Sequence, residues 1–316
     1  IPATDEVWRL QGIQDEDANI FQAMANKGHY RVEGGPRQGI YICSPAGELL
    51  SSINSLNPDD VLSVIQQGLD KWNHDTISNL PIDPINTVTP SYRWEDSYPE
   101  NGLVLTGYKI DLKSDPPSND NRGDRWNMDH VWFNQAEMKG WITNDLIEGS
   151  VNKVPAVVSE RLIRFHLVDN VRGQTLPFAP DEVKVNQMMT EVVFKNESSL
   201  ELEISGESFS VAKGEWLLGE NDWTPTHLLD HSIRTKLLGK VTYNFQTETV
   251  TKFELVAIGE RFGKTQNNGR MYGSDSNHIG FYYKMAQENA SKKIAPAFID
   301  LYNADWIIHP INKKRL

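Results

Sequence analysis

The sequence predicts an α+β protein in which a small mixed unit precedes an antiparallel β-sandwich or β-barrel domain. A chain of 316 residues is too long for one ordinary core. Up to about residue 170 apolar residues recur at helical spacing, whereas after residue 180 the period becomes two. Residues 200–205 show this best, because leucine or isoleucine alternates there with glutamate or serine, as in a strand with one wet face.

The first unit is predicted from a compact pattern of strand, turn, strand and helix. Residues 39–44 form an apolar run, 45–47 are the turn residues Pro-Ala-Gly, and 48–53 form a second run. Asn57 is a suitable helix N-cap and is followed by Pro58 at the first helical position. Apolar residues at helical spacing then continue to Trp72, so we expect a helix with one apolar face.

Residues 39–72 resemble the C-terminal half of the thioredoxin fold, in which two antiparallel strands and a last helix close the sheet. The resemblance implies a partial thioredoxin-like unit. It does not imply redox activity, because Cys43 is the only cysteine and no Cys-x-x-Cys pair is present. The apolar neighbours of Cys43 predict an inert, partly buried thiol.

The longer pattern resembles an uncharacterised group of bacterial exported proteins that join such a segment to a β-rich domain. The matching pieces are 37–41, 126–133, 164–173 and 237–239. The resemblance implies a soluble protein of an exported compartment, periplasmic or secreted. The chain opens with Ile1 rather than methionine, as expected of a mature product that has lost a targeting segment, or of a shortened chain.

The organisation that follows has three parts. Residues 1–75 are the partial thioredoxin-like unit, 76–155 are a connecting region with a loop rich in tryptophan and aspartate, and 156–316 are the antiparallel β-rich domain. Prolines at four positions between 81 and 99 favour an extended connection.

Composition excludes several classes of function. The formal net charge of −12 disfavours nucleic acid as a partner, and no apolar stretch is long enough for a transmembrane segment. No phosphate-binding glycine motif and no nucleophile elbow occur, so we expect no cofactor. The expected partner is an unidentified small molecule, a carbohydrate or a protein.

One candidate catalytic group lies in residues 166–173. If the predicted helix from Pro155 continues to about residue 169, His166 and Asp169 are three residues apart and can meet on one face. With Arg172 as the electrostatic partner, they would form a general acid–base cluster. The alternative is structural: His166 packs on the apolar stripe, and Asn170 and Arg172 end the helix.

A candidate ligand-binding group lies at Trp126, Asn127, Asp129 and His130, after a loop rich in Asp and Asn, and Asn170 and Arg270 are predicted as further ligand contacts. An aromatic face among carboxylates and amides suits a sugar. Asp115, Asp120, Asp124 and Asp129 offer calcium ligands, although their spacing misses the EF-hand pattern. The alternative is a solvated loop whose tryptophans anchor into the core.

Two further groups of residues are candidates for metal binding or ligand contact. His227 and His231 have metal-ligand spacing if they lie on a helix, but no third ligand is evident, so we expect no metal site. Residues 259–278 form a long loop with Arg270, placed at the rim of the β-domain, where ligand contacts are common.

The sequence therefore predicts a non-catalytic binding or scaffold protein with an unknown ligand. The alternative is a hydrolase- or isomerase-type enzyme that uses His166, Asp169 and Arg172, with Asp129 or His130 opposite them.

Overall fold

A computed structural model of the chain divides it into two compact units, Ile1–Ser91 with Gly219–Asn221 and Tyr92–Leu218 with Asp222–Leu316. The structure describes residues 7–12, 14–30, 37–74, 97–112, 126–173, 175, 177–214, 229–265, 268–270 and 278–287.

The first unit is built on a two-stranded antiparallel hairpin, β1 (Ile40–Cys43) and β2 (Leu49–Ile53). Its turn contains Gly47 at φ +77, a left-handed conformation that glycine adopts without strain. The helices of this unit are α1 (Val7–Gly12), α2 (Glu16–Ala25) and α3 (Pro58–His74). The predicted order of strand, turn, strand and helix is confirmed.

Helices α2 and α3 pack on opposite faces of the hairpin. On one face the ring of Tyr41 meets the ring of Phe21 edge-on, with centroids 5.6 Å apart. On the other face Ser51 Oγ donates a hydrogen bond of 2.7 Å to the carbonyl oxygen of Val64. At Gly68 the helix comes so close that an added Cβ would lie 2.6 Å from Ile42 Cγ2. The thioredoxin-like character of this unit stays a prediction.

The second unit is dominated by one eight-stranded antiparallel sheet with the order β4-β3-β10-β9-β8-β7-β6-β5. Its strands are β3 (Leu103–Asp111), β4 (Trp126–Phe133), β5 (Val151–Lys153), β6 (Val183–Lys195), β7 (Ser199–Gly214), β8 (Leu229–Asn244), β9 (Thr249–Gly263) and β10 (His278–Met285).

The α+β class and the antiparallel β-rich domain are confirmed, and two finer expectations need correction. The described strands form one sheet whose end strands β4 and β5 do not pair with each other, so they make neither a two-sheet sandwich nor a closed barrel. The predicted connecting region, residues 76–155, contributes β3, β4 and β5 to that sheet. The sequence misled here because β3, which also pairs with β4, reaches its other partner β10 only across a large separation along the chain.

Three short helical segments accompany the sheet: α4 (Gln135–Trp141), α5 (Ala156–Arg161), which continues as a π-helical turn at Leu162–His166, and a 3₁₀ turn at Pro180–Glu182. The π-helical turn ends at Leu167, whose φ of −86 and ψ of +58 are not helical. The predicted helix to about residue 169 is therefore too long. Among the described residues no helix is long and apolar enough to cross a bilayer.

The sheet bends around the α5 segment. Its π-helical turn contacts the end strand β4 and also β6 and β7. In a flat sheet β4 and β6 would be about 29 Å apart, far more than the width of a helix. The inward side chains of the strands join α4 and α5 in one continuous apolar core, with Leu105, Val158, Val192 and Leu202 among its members.

The close contact at Gly68 generates a prediction for the first unit. Gly68→Ala should lower the free energy of unfolding by about 1–3 kcal/mol, because the strain against Ile42 exceeds the gain in helix propensity. Gly140→Ala in α4 is the matched control, since nothing lies within 4 Å of its added Cβ. Urea denaturation followed by circular dichroism should show the control unchanged or stabilised by less than about 1 kcal/mol. Equal effects of the two substitutions would contradict this packing.

Candidate functional site

Two interior side chains bond to the carboxylate of Asp129, and a third polar side chain bonds to the backbone of one of them. Lys109 Nζ of β3 lies 2.9 Å from Asp129 Oδ2 of β4, and His166 Nδ1 of the π-helical turn lies 3.0 Å from the same oxygen. Tyr283 of β10 donates a 2.8 Å hydrogen bond from its hydroxyl to the carbonyl oxygen of His166. We call these four residues the His166 cluster.

The His166 cluster is sealed from solvent, and its pKa values reflect this. The side chains of Lys109, Asp129 and His166 are at most 1% exposed. Burial favours the neutral form of Asp129, but Lys109 and His166 outweigh it and hold the pKa at about 2. Burial lowers the pKa of His166, although Asp129 opposes the shift, and burial raises the pKa of Tyr283.

Gly107 makes room for this cluster. It lies on β3 opposite Asp129 and beside Tyr283, its partner on β10. An added Cβ would lie 2.3 Å from Tyr283 Cε1 and 2.7 Å from Asp129 Oδ1. Any side chain at this position would push the carboxylate and the phenol ring apart.

The predicted pairing of His166 with Asp169 is wrong. The helix ends at His166, so the two residues do not share a helical face, and the imidazole bonds to Asp129 instead. The segments 126–130 and 166–173 nevertheless meet in space, since Asn127 Nδ2 also donates a 2.8 Å hydrogen bond to the carbonyl oxygen of Asn170. This meeting takes place in the interior.

Asp169 belongs to a second buried group, which we call the Arg270 cluster: Asp111, Asp169, Arg172, Arg261 and Arg270. Arg270 lies between the two carboxylates, with Nη2 2.7 Å from Asp111 Oδ1 and 2.6 Å from Asp169 Oδ1. Arg172 Nε lies 2.7 Å from Asp111 Oδ2, and Arg261 Nε lies 2.9 Å from Asp169 Oδ2. Arg172 and Arg270 were predicted for catalysis and ligand contact, but the structure places them in this internal network.

The predicted ligand-binding group at residues 126–130 is divided between the two faces of a strand. We expected a loop, but these residues begin β4, so consecutive side chains point to opposite faces. Asn127 and Asp129 face inward, whereas Trp126 faces outward and is 60% exposed. His130 lies on the outward face but is buried beside Thr106. The group therefore does not form one sugar site.

The remaining candidates are the predicted metal ligands and the single cysteine. Asp115, Asp120, Asp124 and His227 lie outside the described residues, and among the described ones no set of acidic, His or Cys side chains could hold a metal. His231 lies on β8, where its ring packs against Phe178. Cys43 is half-buried and burial raises its pKa, as expected of an unreactive thiol.

An exposed apolar strip crosses the outward face of the sheet, and no sequence pattern had drawn attention to it. It joins cross-strand partners on β4, β3, β10, β9 and β8, and we call it the outer band. Its members are Trp126, Met128, Tyr108, Ile110, Tyr282, Val256, Ile258 and Leu238. Leu238 is 70% exposed and Ile258 57% exposed, and a cleft of about 980 Å³ lies over them. Contiguous apolar surface of this kind usually marks a binding site.

Lys109, Asp111 and Leu238 were missed by the sequence analysis, although strand alternation could have identified them. On β3 the inward series is 103, 105, 107, 109 and 111, so Lys109 and Asp111 are charges on an apolar face. On β8 the outward series includes Arg234, Lys236 and Lys240, so Leu238 is an apolar residue on a charged face.

Comparison with known proteins adds no identity to this geometry. The chain matches no protein-family model, and neither a curated protein nor a solved structure is significantly similar to it.

The buried pair of Lys109 and Asp129 generates a prediction for stability. Lys109→Met should lower the free energy of unfolding by about 3–5 kcal/mol, because it leaves the Asp129 carboxylate in the interior without its ammonium partner. Lys240→Met is the matched control, since its pair with Glu203 is exposed and should contribute less than about 1 kcal/mol. Urea denaturation of both variants measures the difference, and similar losses would show that Asp129 is not buried as described.

The burial of His166 generates a prediction for pH dependence. In the unfolded chain His166 has the ordinary histidine pKa of about 6.5, whereas in the folded chain burial lowers the pKa, so that protonation requires a lower pH. As the pH is lowered from about 6.5, the free energy of unfolding should therefore decrease. His166 should account for up to about 1.4 kcal/mol of this decrease per pH unit. Asp129 adds to the loss only below its unfolded pKa of about 3.9.

Urea denaturation at about pH 7 and about pH 5.5 tests this contribution. His166→Gln should remove much of the loss, whereas His278→Gln, at an exposed histidine, should keep it. A pH dependence that His166→Gln leaves unchanged would contradict the assignment.

Proposed function

We propose that this protein is a non-catalytic binding or scaffold protein of an exported compartment, and that the outer band is its binding surface. The observation that carries the proposal is the placement of apolar side chains on a solvent-facing sheet surface. Leu238, Val256 and Ile258 are each more than half exposed and are mutual neighbours on β8 and β9. Assignment to an exported compartment rests on the sequence resemblance alone.

The cleft over these residues has the form of a binding surface. Its lining combines the apolar side chains of Leu238, Val256 and Ile258 with charged residues, which are Lys153, Glu207, Arg234, Lys236 and Glu260. Apolar contact area together with charged and polar groups is the usual composition of a recognition surface. Charged neighbours keep such a surface hydrated when it is empty and orient a partner when it is filled.

The interior groups support a structural role for His166. General acid–base chemistry requires access of a reacting group to the imidazole, within hydrogen-bond reach or through one water. His166 is sealed, and its Nδ1 is already bonded to Asp129. Asp169 and Arg172, the other proposed catalytic residues, are bonded to Arg270 and Asp111. The described geometry therefore does not favour the hydrolase or isomerase alternative.

A hydrophobic fluorescent probe, 8-anilinonaphthalene-1-sulfonate, tests the proposed surface. The native protein should bind it saturably at low protein concentration, and Leu238→Asp should weaken that binding by about tenfold or more, since a carboxylate would oppose desolvation of the floor. Ile147→Asp is the matched control, because Ile147 is 72% exposed but lies in the connection between α4 and β5, outside the strands.

Thermal denaturation should confirm that both variants fold. Absence of saturable binding by the native protein, or equal losses in the two variants, would overturn the proposed surface.

A further inference from the structure

Two cationic side chains line the cleft over the outer band without forming an ion pair. Arg234 and Lys236 are exposed outward residues of β8. The cross-strand neighbour of Arg234 on β9 is Glu260, and that of Lys236 on β7 is Glu207. Within the part of the chain that the structure describes, neither cation forms an ion pair with its acidic neighbour. Both cations are therefore available to an anion from outside the chain.

Another lysine on the same strand behaves differently. Lys240 is the outward residue that follows Leu238 on β8, and its Nζ lies 3.0 Å from Glu203 Oε1. Lys240 and Glu203 are cross-strand partners of β8 and β7, just as Lys236 and Glu207 are. Of two lysines in equivalent positions, one is thus neutralised within the chain and the one in the cleft is not.

An apolar row begins beside these cations and crosses five strands. It consists of direct cross-strand partners on the outward face, none of them charged. Its members, in sheet order from β8 to β4, are Leu238, Val256, Tyr282, Tyr108 and Met128. The rings of Tyr108 and Tyr282 are nearly parallel, with centroids 6.4 Å apart. Four strand spacings of about 4.8 Å give the row a length of roughly 19 Å along the sheet.

The shape of this row restricts what can cover it. Charged residues bound one of its long sides, because Lys240, Glu254 and Lys284 occupy the next outward level on β8, β9 and β10. The sheet also bends around the α5 segment, so the row follows a curved face. A rigid, flat partner would contact only part of it, whereas a narrow and flexible apolar chain can follow its whole length.

We propose that this surface binds a free long-chain aliphatic carboxylate, with the carboxylate at Arg234 and Lys236 and the alkyl chain along the apolar row. The inference rests on the proposed function, because it names the ligand class of the same surface. Among the described residues that line the cleft, three are basic and two are acidic, although the chain as a whole has a net charge of −12. An anion is therefore attracted to this part of the surface more than to the rest.

The geometry around Arg234 suits a carboxylate in particular. Its guanidinium lies over the ring of Phe209, 4.4 Å from the ring centroid. This contact holds the guanidinium in place without neutralising it. A guanidinium can donate two parallel hydrogen bonds to one carboxylate, and the ammonium of Lys236 adds a second positive charge on the same strand.

The volume of the cleft fits a single small molecule. It is about 980 Å³, at the upper end of the range of about 300–1,000 Å³ that is usual for small-molecule sites. The alkyl chain of the ligand would leave the cleft over Val256 and continue across Tyr282 and Tyr108. Covering these side chains removes apolar surface from water, which supplies the free energy of binding.

A series of carboxylates of increasing length tests the alkyl half of the proposal. Octanoate, decanoate and dodecanoate are titrated into the whole chain by isothermal titration calorimetry, each below its micelle concentration. The affinity should rise with every added methylene, by up to about fourfold each, the ratio that corresponds to complete burial of one methylene. An affinity that does not increase with chain length would overturn the inference.

Removal of charge tests the carboxylate half. Dodecan-1-ol has the same alkyl chain without the charge and should bind about tenfold more weakly than dodecanoate. Lys236→Met should weaken dodecanoate binding by about tenfold but keep dodecan-1-ol binding within about threefold of the native value, which also shows that the variant is folded. Lys240→Met is the matched control and should keep dodecanoate binding within about threefold, because Glu203 already neutralises that ammonium.

Three outcomes would contradict this assignment of the charged contact. They are equal affinities of the native chain for dodecanoate and dodecan-1-ol, equal losses of dodecanoate binding in Lys236→Met and Lys240→Met, and equal losses of both ligands in Lys236→Met. In each case the carboxylate does not lie at Lys236, and the inference is overturned.

Failure of this inference is distinguishable from failure of the proposed function. If the native chain binds the fluorescent probe, and Leu238→Asp weakens that binding, but dodecanoate gives no heat of binding, the surface stands and this ligand class is excluded. If the native chain binds neither the probe nor dodecanoate, the surface itself is excluded.

Discussion

Asp129 carries a negative charge in an interior from which water is excluded, and Lys109 and His166 are its partners there. Isolated buried charge is very costly, so each of these side chains requires the others. The three come from β3, β4 and the π-helical turn, and the phenol of Tyr283 adds β10 by bonding to the backbone of His166. One carboxylate thus fixes the register of the strands at one end of the sheet and the position of the helix that the sheet surrounds.

Such a cluster contributes more to the choice of structure than to its stability. An apolar set of similar volume would often be as stable, but it would tolerate a strand displaced by two residues. Displacement of β4 by two residues would place Asp129 opposite Leu105 or Lys109 instead of opposite Gly107, which has no side chain and so leaves room for the carboxylate beside Tyr283. The same logic extends to the Arg270 cluster, where Arg270 joins Asp111 of β3 to Asp169 after the π-helical turn.

Local patterns in the sequence predicted the elements well and their assembly poorly. The hairpin and helix from Ile40 to His74, and the long strands after Val183, follow from periodicity and turn residues. The sheet order does not, because β3 pairs with β10 across most of the chain. The site was misread for a related reason: spacing within a helix suggested Asp169 as the partner of His166, whereas the true partner arrives from β4. Only long-range pairing could identify it, although Lys109 on an apolar strand face was a usable sign.

The two faces of the sheet differ in whether their side chains already have partners within the chain, and this difference indicates which face binds a partner. Inside, the charged residues that lie among apolar ones form ion pairs with other residues of the same chain. Outside, Leu238 and Ile258 lie among charged residues, and Arg234 and Glu260 lie side by side without forming an ion pair. Contact between apolar surface and water is unfavourable, so covering that surface with a partner lowers the free energy. The inward face has already been covered by α4 and α5 during folding, so the free energy available for binding is on the outward face.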